Sequence, residues 1–322
     1  MKQFAALVTA AALLGGSAQA LFGKSQEKQE TSEEAPVVQD IQITTYRGIP
    51  YQAQFLGSDS QGDDLTFAVS EEPDKGSVEV DGVNFTYMPE EDASGGDRFT
   101  YTATDSAGNV SAPATVTVTI EKVRSGVTYA DTDASSAAAA QYLAEEGIFT
   151  GCRMGEAYYF RPEETVSRSE FLAMAMETAG LEAPAVTMTG FCDDAAIPTW
   201  AKAYAAAGVA EGIVQGKTTD QGAAFLGDET VTFNEAAAML DRVLGLEDVD
   251  LEVWYADRQA VPSWAAQAVG NLEAVSVLSA GSFGSAGLDA PVTRADAARM
   301  LCAAGTLLAG EEEPQSLFDW LR

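Results

Sequence analysis

Histidine is absent from all 322 residues. That absence removes Ser-His and Cys-His catalysis, imidazole proton shuttles and histidine-ligated zinc sites together. Cysteine is nearly absent: Cys152, Cys192 and Cys302 are too few for the disulfide framework of a small secreted domain, so a core must come from packing. Cationic residues are scarce as well. Lys and Arg number 18 against 49 Asp and Glu, a formal net charge of -31, and such a chain repels the phosphate backbone that supplies most nucleic-acid affinity. No apolar run reaches the roughly 20 residues of a membrane-spanning helix, the longest being Phe4 to Leu14. Carboxylate-pair glycosidases survive these exclusions, because their acid and nucleophile are Asp or Glu.

The run from Phe4 to Leu14 follows Lys2 and precedes Ala18-Gln19-Ala20, the small-x-small pattern of a signal-peptidase site, so residues 1–20 read as a signal peptide. Residues 21–36 are polar with little to bury and read as a disordered tether. In an exported chain a bridge between Cys152 and Cys192 is open, both lying in loop-like segments, while Cys302 in the apolar run 297–304 reads as a buried free thiol.

From Val37 to Lys122 the hydropathy alternates with period two in short runs, at 40–45, 52–56, 65–69, 77–80, 84–88, 98–104 and 114–120. Turn clusters separate them at 60–63 and 106–109, and Asp81-Gly82 marks a hairpin. Seven strands predict a Greek-key sandwich. With the stretches GDDLTFAV, FTYMPEEDASGGDRFTYTATDSAGNVS and ATVTVTI, this segment resembles the immunoglobulin-like and cadherin-like modules of bacterial surface proteins. Asp59, Asp63, Asp64 and Asp105 are oxygen donors of the kind calcium takes six to eight of, and equally the residues that build turns. Cadherin-type calcium sites lie between tandem modules and one module is visible, so the turn reading is preferred and no cofactor is expected.

Beyond Val127 the chain becomes alanine-rich with helical periodicity, and it repeats. Val166-Ser-Arg-Ser-Glu170, Val231-Thr-Phe-Asn-Glu235 and Val292-Thr-Arg-Ala-Asp296 recur at spacings of 65 and 61 residues. Tyr129-Ala-Asp131, Phe191-Cys-Asp193 and Tyr255-Ala-Asp257 open the copies, and Trp200-Ala and Trp264-Ala follow in the second and third. Gly147-Ile-Phe-Thr-Gly151 and Gly212-Ile-Val-Gln-Gly216 are turns replaced by 276–280 in copy three, so each copy reads helix, loop, helix. A Ser or Thr followed three residues later by an acid, just before an apolar run, is a capping box. Arg168 and Arg294 then fall in the first helical turn, where a cation opposes the helix dipole. With free N–H groups beside them they suit a carboxylate or phosphate; a surface ion pair explains them equally well. For Trp200 and Trp264 core packing is the favoured reading over sugar stacking, and for Asp131, Asp193 and Asp257 helix capping is favoured over sugar binding.

In this order the elements resemble the S-layer homology domain, in the usual triplet over about 129–308. The resemblance implies a helical three-repeat bundle that binds secondary cell-wall polysaccharide, often pyruvylated, or peptidoglycan, in grooves between repeats. By position, Arg168 and Arg294 would clamp an acidic group, with Asp131, Asp193, Asp257, Trp200, Trp264, Gly151 and Gly216 shaping the grooves. Phe233 replaces the arginine of copy two and Ser135 the tryptophan of copy one, which implies at least one degraded groove. Residues 127–309 hold 9 basic and 26 acidic residues, so binding of an anionic polymer should improve as salt screens repulsion.

The sequence thus predicts a multidomain chain: signal peptide 1–20, tether 21–36, all-β Greek-key sandwich 37–122, all-α repeats 127–185, 186–248 and 249–309, and an acidic tail 310–322. The leading functional expectation is a secreted, non-catalytic cell-wall or S-layer protein displaying one sandwich domain. A wall-anchored glycosidase and an adhesin acting through the sandwich are the alternatives. No nucleophile elbow, phosphate loop or metal cluster supports an enzyme, and the protein should have no membrane span once the leader is cleaved.

Overall fold

The computed structural model describes residues 34–255, 259–279 and 283–311. The signal peptide, nearly all of the tether, Asp257 and most of the tail lie outside them.

Alternation in the first domain builds strands β1 (Val37–Val38), β2 (Ile41–Tyr46), β3 (Tyr51–Gln54), β4 (Gly57–Ser58), β5 (Thr66–Glu71), β6 (Gly76–Asp81), β7 (Asn84–Pro89), β8 (Gly95–Thr104) and β9 (Ala114–Glu121). One sheet runs β2-β9-β8-β5 with β2 parallel to β9, the other β3-β7-β6, and β1 pairs with β4. The seven expected strands are present, with two dipeptide strands added. Period-two burial puts Phe67, Phe85, Tyr87, Phe99, Tyr101, Val116 and Val118 between the sheets as one core. Gly82 supplies the positive φ (59°) at the first position of the β6–β7 turn.

Two buried polar devices tie this sandwich together. The Tyr101 hydroxyl donates to the Gln39 carbonyl at 2.5 Å, holding the first segment against β8. Asp97 is buried and accepts from the Tyr87 hydroxyl (2.7 Å) and from the backbone N–H groups of Asp74, Lys75 and Arg98. Burial alone would raise its pKa, but those donors outweigh it and hold the carboxyl below its ordinary value.

The second part has helices α1 (Ala137–Glu145), α2 (Arg168–Thr178), α3 (Thr199–Ala210), α4 (Phe233–Leu244), α5 (Leu251–Trp254), α6 (Ala266–Ala274) and α7 (Arg294–Glu311). The two hairpins within it contradict the all-α bundle that its helical periodicity predicts. Copy one carries a hairpin of β10 (Cys152–Met154) and β11 (Ala157–Tyr159), and copy two one of β12 (Lys217–Thr219) and β13 (Gly222–Ala224). Copy three has, among the described residues, a 3-10 turn at Ala286–Asp289 in that place. Helical periodicity cannot report three-residue strands, whose marks here are glycines flanked by residues such as Tyr158 and Tyr159.

The capping boxes form as the sequence predicts. Ser167 and Thr232 accept from Glu170 and Glu235 N–H, whose carboxylates accept in return. Thr293 and Asp296 close the same ring despite the shorter acid. Each cap contributes about 1 kcal/mol. A single core spans all three copies, from Leu143 and Phe171 through Leu240 to Leu301.

The connection between the two parts is anchored by one carboxylate. Glu145, with a fully buried side chain at the end of α1, accepts from Arg124 N–H (2.8 Å), Ser125 N–H (3.0 Å), the Ser125 hydroxyl (2.6 Å) and Gln141 Nε2 (2.6 Å). Gly305 of α7 leaves room for the Tyr142 hydroxyl, which a Cβ there would displace.

Candidate functional site

The three copies meet on a closed ring of backbone hydrogen bonds. Val166 N–H donates to Val292 O (2.9 Å), Val292 N–H to Val231 O (2.8 Å) and Val231 N–H to Val166 O (3.1 Å). All three valines are buried. Two residues on, Arg168, Phe233 and Arg294 repeat the cycle, donating to the carbonyls of Glu229, Ala290 and Glu164 in the next copy. The repeats are therefore related by a pseudo-threefold axis, and the seams between them are three equivalent sites.

This ring corrects the idea of helix N-termini with free N–H groups. Arg168 and Ser169 donate theirs to Glu229 and Gly227, and Arg294 and Ala295 theirs to Glu164 and Pro162. An anion finds no vacant backbone donor at those four residues.

The arginine side chains are engaged as well. Arg168 is buried, lies 5.7 Å from the centre of the Phe225 ring, and faces Glu235 at 3.7 Å. Burial pushes its guanidinium pKa down, against the pull of Glu235 and Glu229, and its Nε has no hydrogen-bond partner. Lys217 bridges the same two glutamates at 2.9 and 3.1 Å, completing a mixed-charge seam between copies one and two. Arg294 pairs with Glu164 at 2.7 Å, donates to Phe160 O at 3.3 Å and lies 5.3 Å from the Phe149 ring centre. The hollow beside it, walled by Phe149, Phe160 and Met174, holds about 10 Å³, the room of one water molecule. Both arginines thus join copies to each other.

Asp131 and Asp193 do not cap the helices that follow them. Asp131 accepts from the backbone N–H groups of Phe160 and Arg161, and Asp193 from those of Phe225 and Leu226, all at 2.8 Å. Each carboxylate clamps the exit of its own hairpin, where Arg161 and Leu226 stand in the left-handed region at φ 57° and 56°. The turn before α1 is made instead by Asp133, which accepts from Ser135 and Ser136. Gly151 and Gly216 open the hairpins with positive φ, and a Cβ on either would strike a carbonyl of the returning strand, Tyr159 O or Ala224 O. The glycine missing from copy three is replaced by Ser276, which adopts φ 61° in the turn that Gly147 and Gly212 make at 72° and 75°.

Trp200 and Trp264 overturn the core-packing reading: they are 51% and 56% exposed at equivalent positions of copies two and three. The three thiols are free, with Cys192 exposed and Cys152 partly so, and burial pushes Cys302 up to about 12. In the sandwich, Asp59 accepts from Gln61 and Asp63 N–H, and Asp105 from Ala107 and Asn109 N–H and the Asn109 amide, which is turn chemistry. Among the described residues no helix is long and apolar enough to cross a membrane.

The family model of the bacterial Ig domain matches residues 33–120, so the sandwich is a bacterial immunoglobulin-like domain. No S-layer homology domain is matched in the repeats, and no curated protein matches the chain. Among solved structures, the endo-fucoidan hydrolase MfFcnA4 of glycoside hydrolase family 107 is 19% identical over 29% of this chain and 14% of its own, with a TM-score of 0.25. Fibronectin(III)-like modules of Clostridium thermocellum CbhA are 16% identical over 27% of this chain and 47% of theirs (TM-score 0.21). The sialic acid binding region of the Streptococcus sanguinis SK1 adhesin is 16% identical over 30% and 31% (TM-score 0.22). The chain spans less than half the length of each, and likenesses of this size carry no activity across.

Proposed function

We propose that the protein is a non-catalytic component of a bacterial cell surface, in which the three repeats bind a wall glycan non-covalently and the immunoglobulin-like domain is displayed from them. The glycan is a secondary cell-wall polymer or peptidoglycan. One observation carries this reading: two tryptophans at equivalent repeat positions, at the entries of α3 and α6, stand half in solvent, and an exposed indole is a stacking platform for the apolar face of a sugar ring. The ordered recurrence of aromatic-x-Asp, Trp-Ala and capping-box elements, which resembles the S-layer homology triplet, supports it.

The test is sedimentation of the full chain with wall sacculi, before and after chemical removal of secondary polymer, with release of soluble sugar assayed alongside. A Trp200→Ala/Trp264→Ala variant should keep its melting temperature and bind sacculi at least about tenfold more weakly, a loss of ~1.4 kcal/mol. Unchanged binding by that variant would sink the stacking role, and steady sugar release would replace the binding reading with an enzymatic one.

A further inference from the structure

The two poles of the sandwich carry different side chains. β2 and β9 run parallel and end, at Tyr46 and Glu121, on the pole from which residues 122–127 lead into the repeats. At the opposite, distal pole lie the start of β2, the turn between β6 and β7, the segment 55–65 and the turn after β8. Of the six large apolar side chains that residues 34–121 leave exposed, five stand at this distal pole. They are Val37, Leu56, Val80, Val83 and Val110, between 37% and 62% exposed; the sixth, Met88, lies near the other end of β7.

Backbone pairing gathers the first four. Phe55 N–H donates to Val83 O at 2.9 Å, which sets the β6–β7 turn against Leu56. Gln39 N–H donates to Leu56 O at 3.1 Å, and Val37 pairs with Ser58 in the β1–β4 ribbon. Val38 and Phe55 pack on the core, so by alternation their neighbours Val37 and Leu56 face outward. Val80 lies on β6 just before the turn that carries Val83. Exposed aliphatic side chains collected in one place with a polar surround mark a surface that meets a partner.

Charge selects the partner. Asp40, Asp59, Asp63, Asp64 and Asp81 belong to the same distal segments. The five cations of residues 34–124 lie elsewhere. Arg47 N–H donates to Glu121 O, Lys75 Nζ to Ser94 O and Gly96 O, and Arg124 N–H to Glu145; Lys122 follows β9, and Arg98 stands opposite Thr117 in mid-sheet. An apolar patch flanked only by acids complements a protein segment that presents an apolar anchor among lysines and arginines, and it steers such a segment in. Two other occupants fail on charge. A second copy docked pole to pole would set one acidic surface against another, and the chain's own residues 21–33 bring two lysines together with three glutamates. We infer that the distal pole of the immunoglobulin-like domain is a docking surface for a cationic protein segment with an apolar anchor. The inference concerns the displayed domain and does not depend on what the repeats bind.

The full chain, labelled with 13C at valine and leucine methyl groups, would be titrated at physiological ionic strength with the peptide Lys-Lys-Leu-Phe-Lys-Lys. Glu-Glu-Leu-Phe-Glu-Glu and Lys-Lys-Ser-Ser-Lys-Lys are the controls. The first peptide should shift Val37, Leu56, Val80 and Val83, leave the exposed Val209 of α3 unmoved, and bind at least about tenfold more tightly than either control. Leu56→Ser/Val83→Ser should keep its melting temperature, bind the peptide at least about tenfold more weakly and sediment with sacculi as the parent does. Asp63→Asn/Asp64→Asn/Asp81→Asn, which leaves the apolar side chains in place, should weaken binding and flatten its dependence on salt. Silence at the pole, equal binding by either control, shifts at Val209 in place of the pole, or parent-level binding by Leu56→Ser/Val83→Ser would each overturn the inference. Shifts of the pole methyls by phosphatidylcholine vesicles in preference to the peptide would overturn it in favour of a lipid surface. Loss of sacculus binding by the well-folded Leu56→Ser/Val83→Ser variant would overturn it by assigning the pole to the wall.

Discussion

The Asp131 carboxylate accepts the backbone N–H of Arg161 at 2.8 Å, and that bond helps hold a non-glycine residue in the left-handed region. Asp193 does the same for Leu226 in copy two. Left-handed backbone costs roughly 1–2 kcal/mol per residue, so the clamp and the strain belong together.

Asp193→Ala should therefore destabilise the chain by about 2–4 kcal/mol, since two charge-assisted bonds to backbone donors vanish at once. Thermal melts and sacculus isotherms distinguish the roles. A variant that melts normally but loses glycan would return Asp193 to the ligand site.

Ser276 gives the converse experiment. It is exposed and sits at φ 61° where the other copies have glycine, so Ser276→Gly should raise stability by about 1 kcal/mol, and Gly212→Ser should lower it by a similar amount. Equal melting temperatures for all three proteins would show that the turn carries no strain.

The two seam arginines should behave alike in kind and differ in degree. Arg168→Ala removes a buried side chain packed on Phe225, and should cost about 1–3 kcal/mol through lost packing and an exposed gap. Arg294→Ala, at a more open seam with Glu164 half exposed, should cost less. Neither should alter glycan affinity once the folded fraction is matched.

Acid should weaken the sandwich through Asp97. Its folded pKa is depressed below the ordinary 3.8, so its contribution is complete above about pH 4 and is lost as pH falls through the folded value. Asp97→Asn should flatten the dependence of the melting temperature on pH below about pH 4 while lowering it at neutrality. An unchanged slope would assign acid sensitivity to other carboxylates, Glu145 first among them.

Local pattern was sufficient for much of this molecule. Period-two alternation located the sandwich strands because one face of each must be buried, and Ser167, Thr232 and Thr293 marked helix starts because a cap bonds only three residues away. The recurrence of Val166, Val231 and Val292 revealed three copies. What the sequence could not state is which partner each polar side chain meets. Asp131 reaches across 29 residues to Phe160 and Arg168 faces Glu235 from a different copy, so residues whose local motif suggests a cap or an anion clamp form joints that only the fold brings together. The apolar pole of the sandwich is likewise a tertiary product, because Val37, Leu56 and Val83 are far apart in sequence and meet only through backbone pairing between their segments. Short-range periodicity and capping are set by bonds along the chain; occupancy of a seam is set by side chains brought together only once the valine ring has closed.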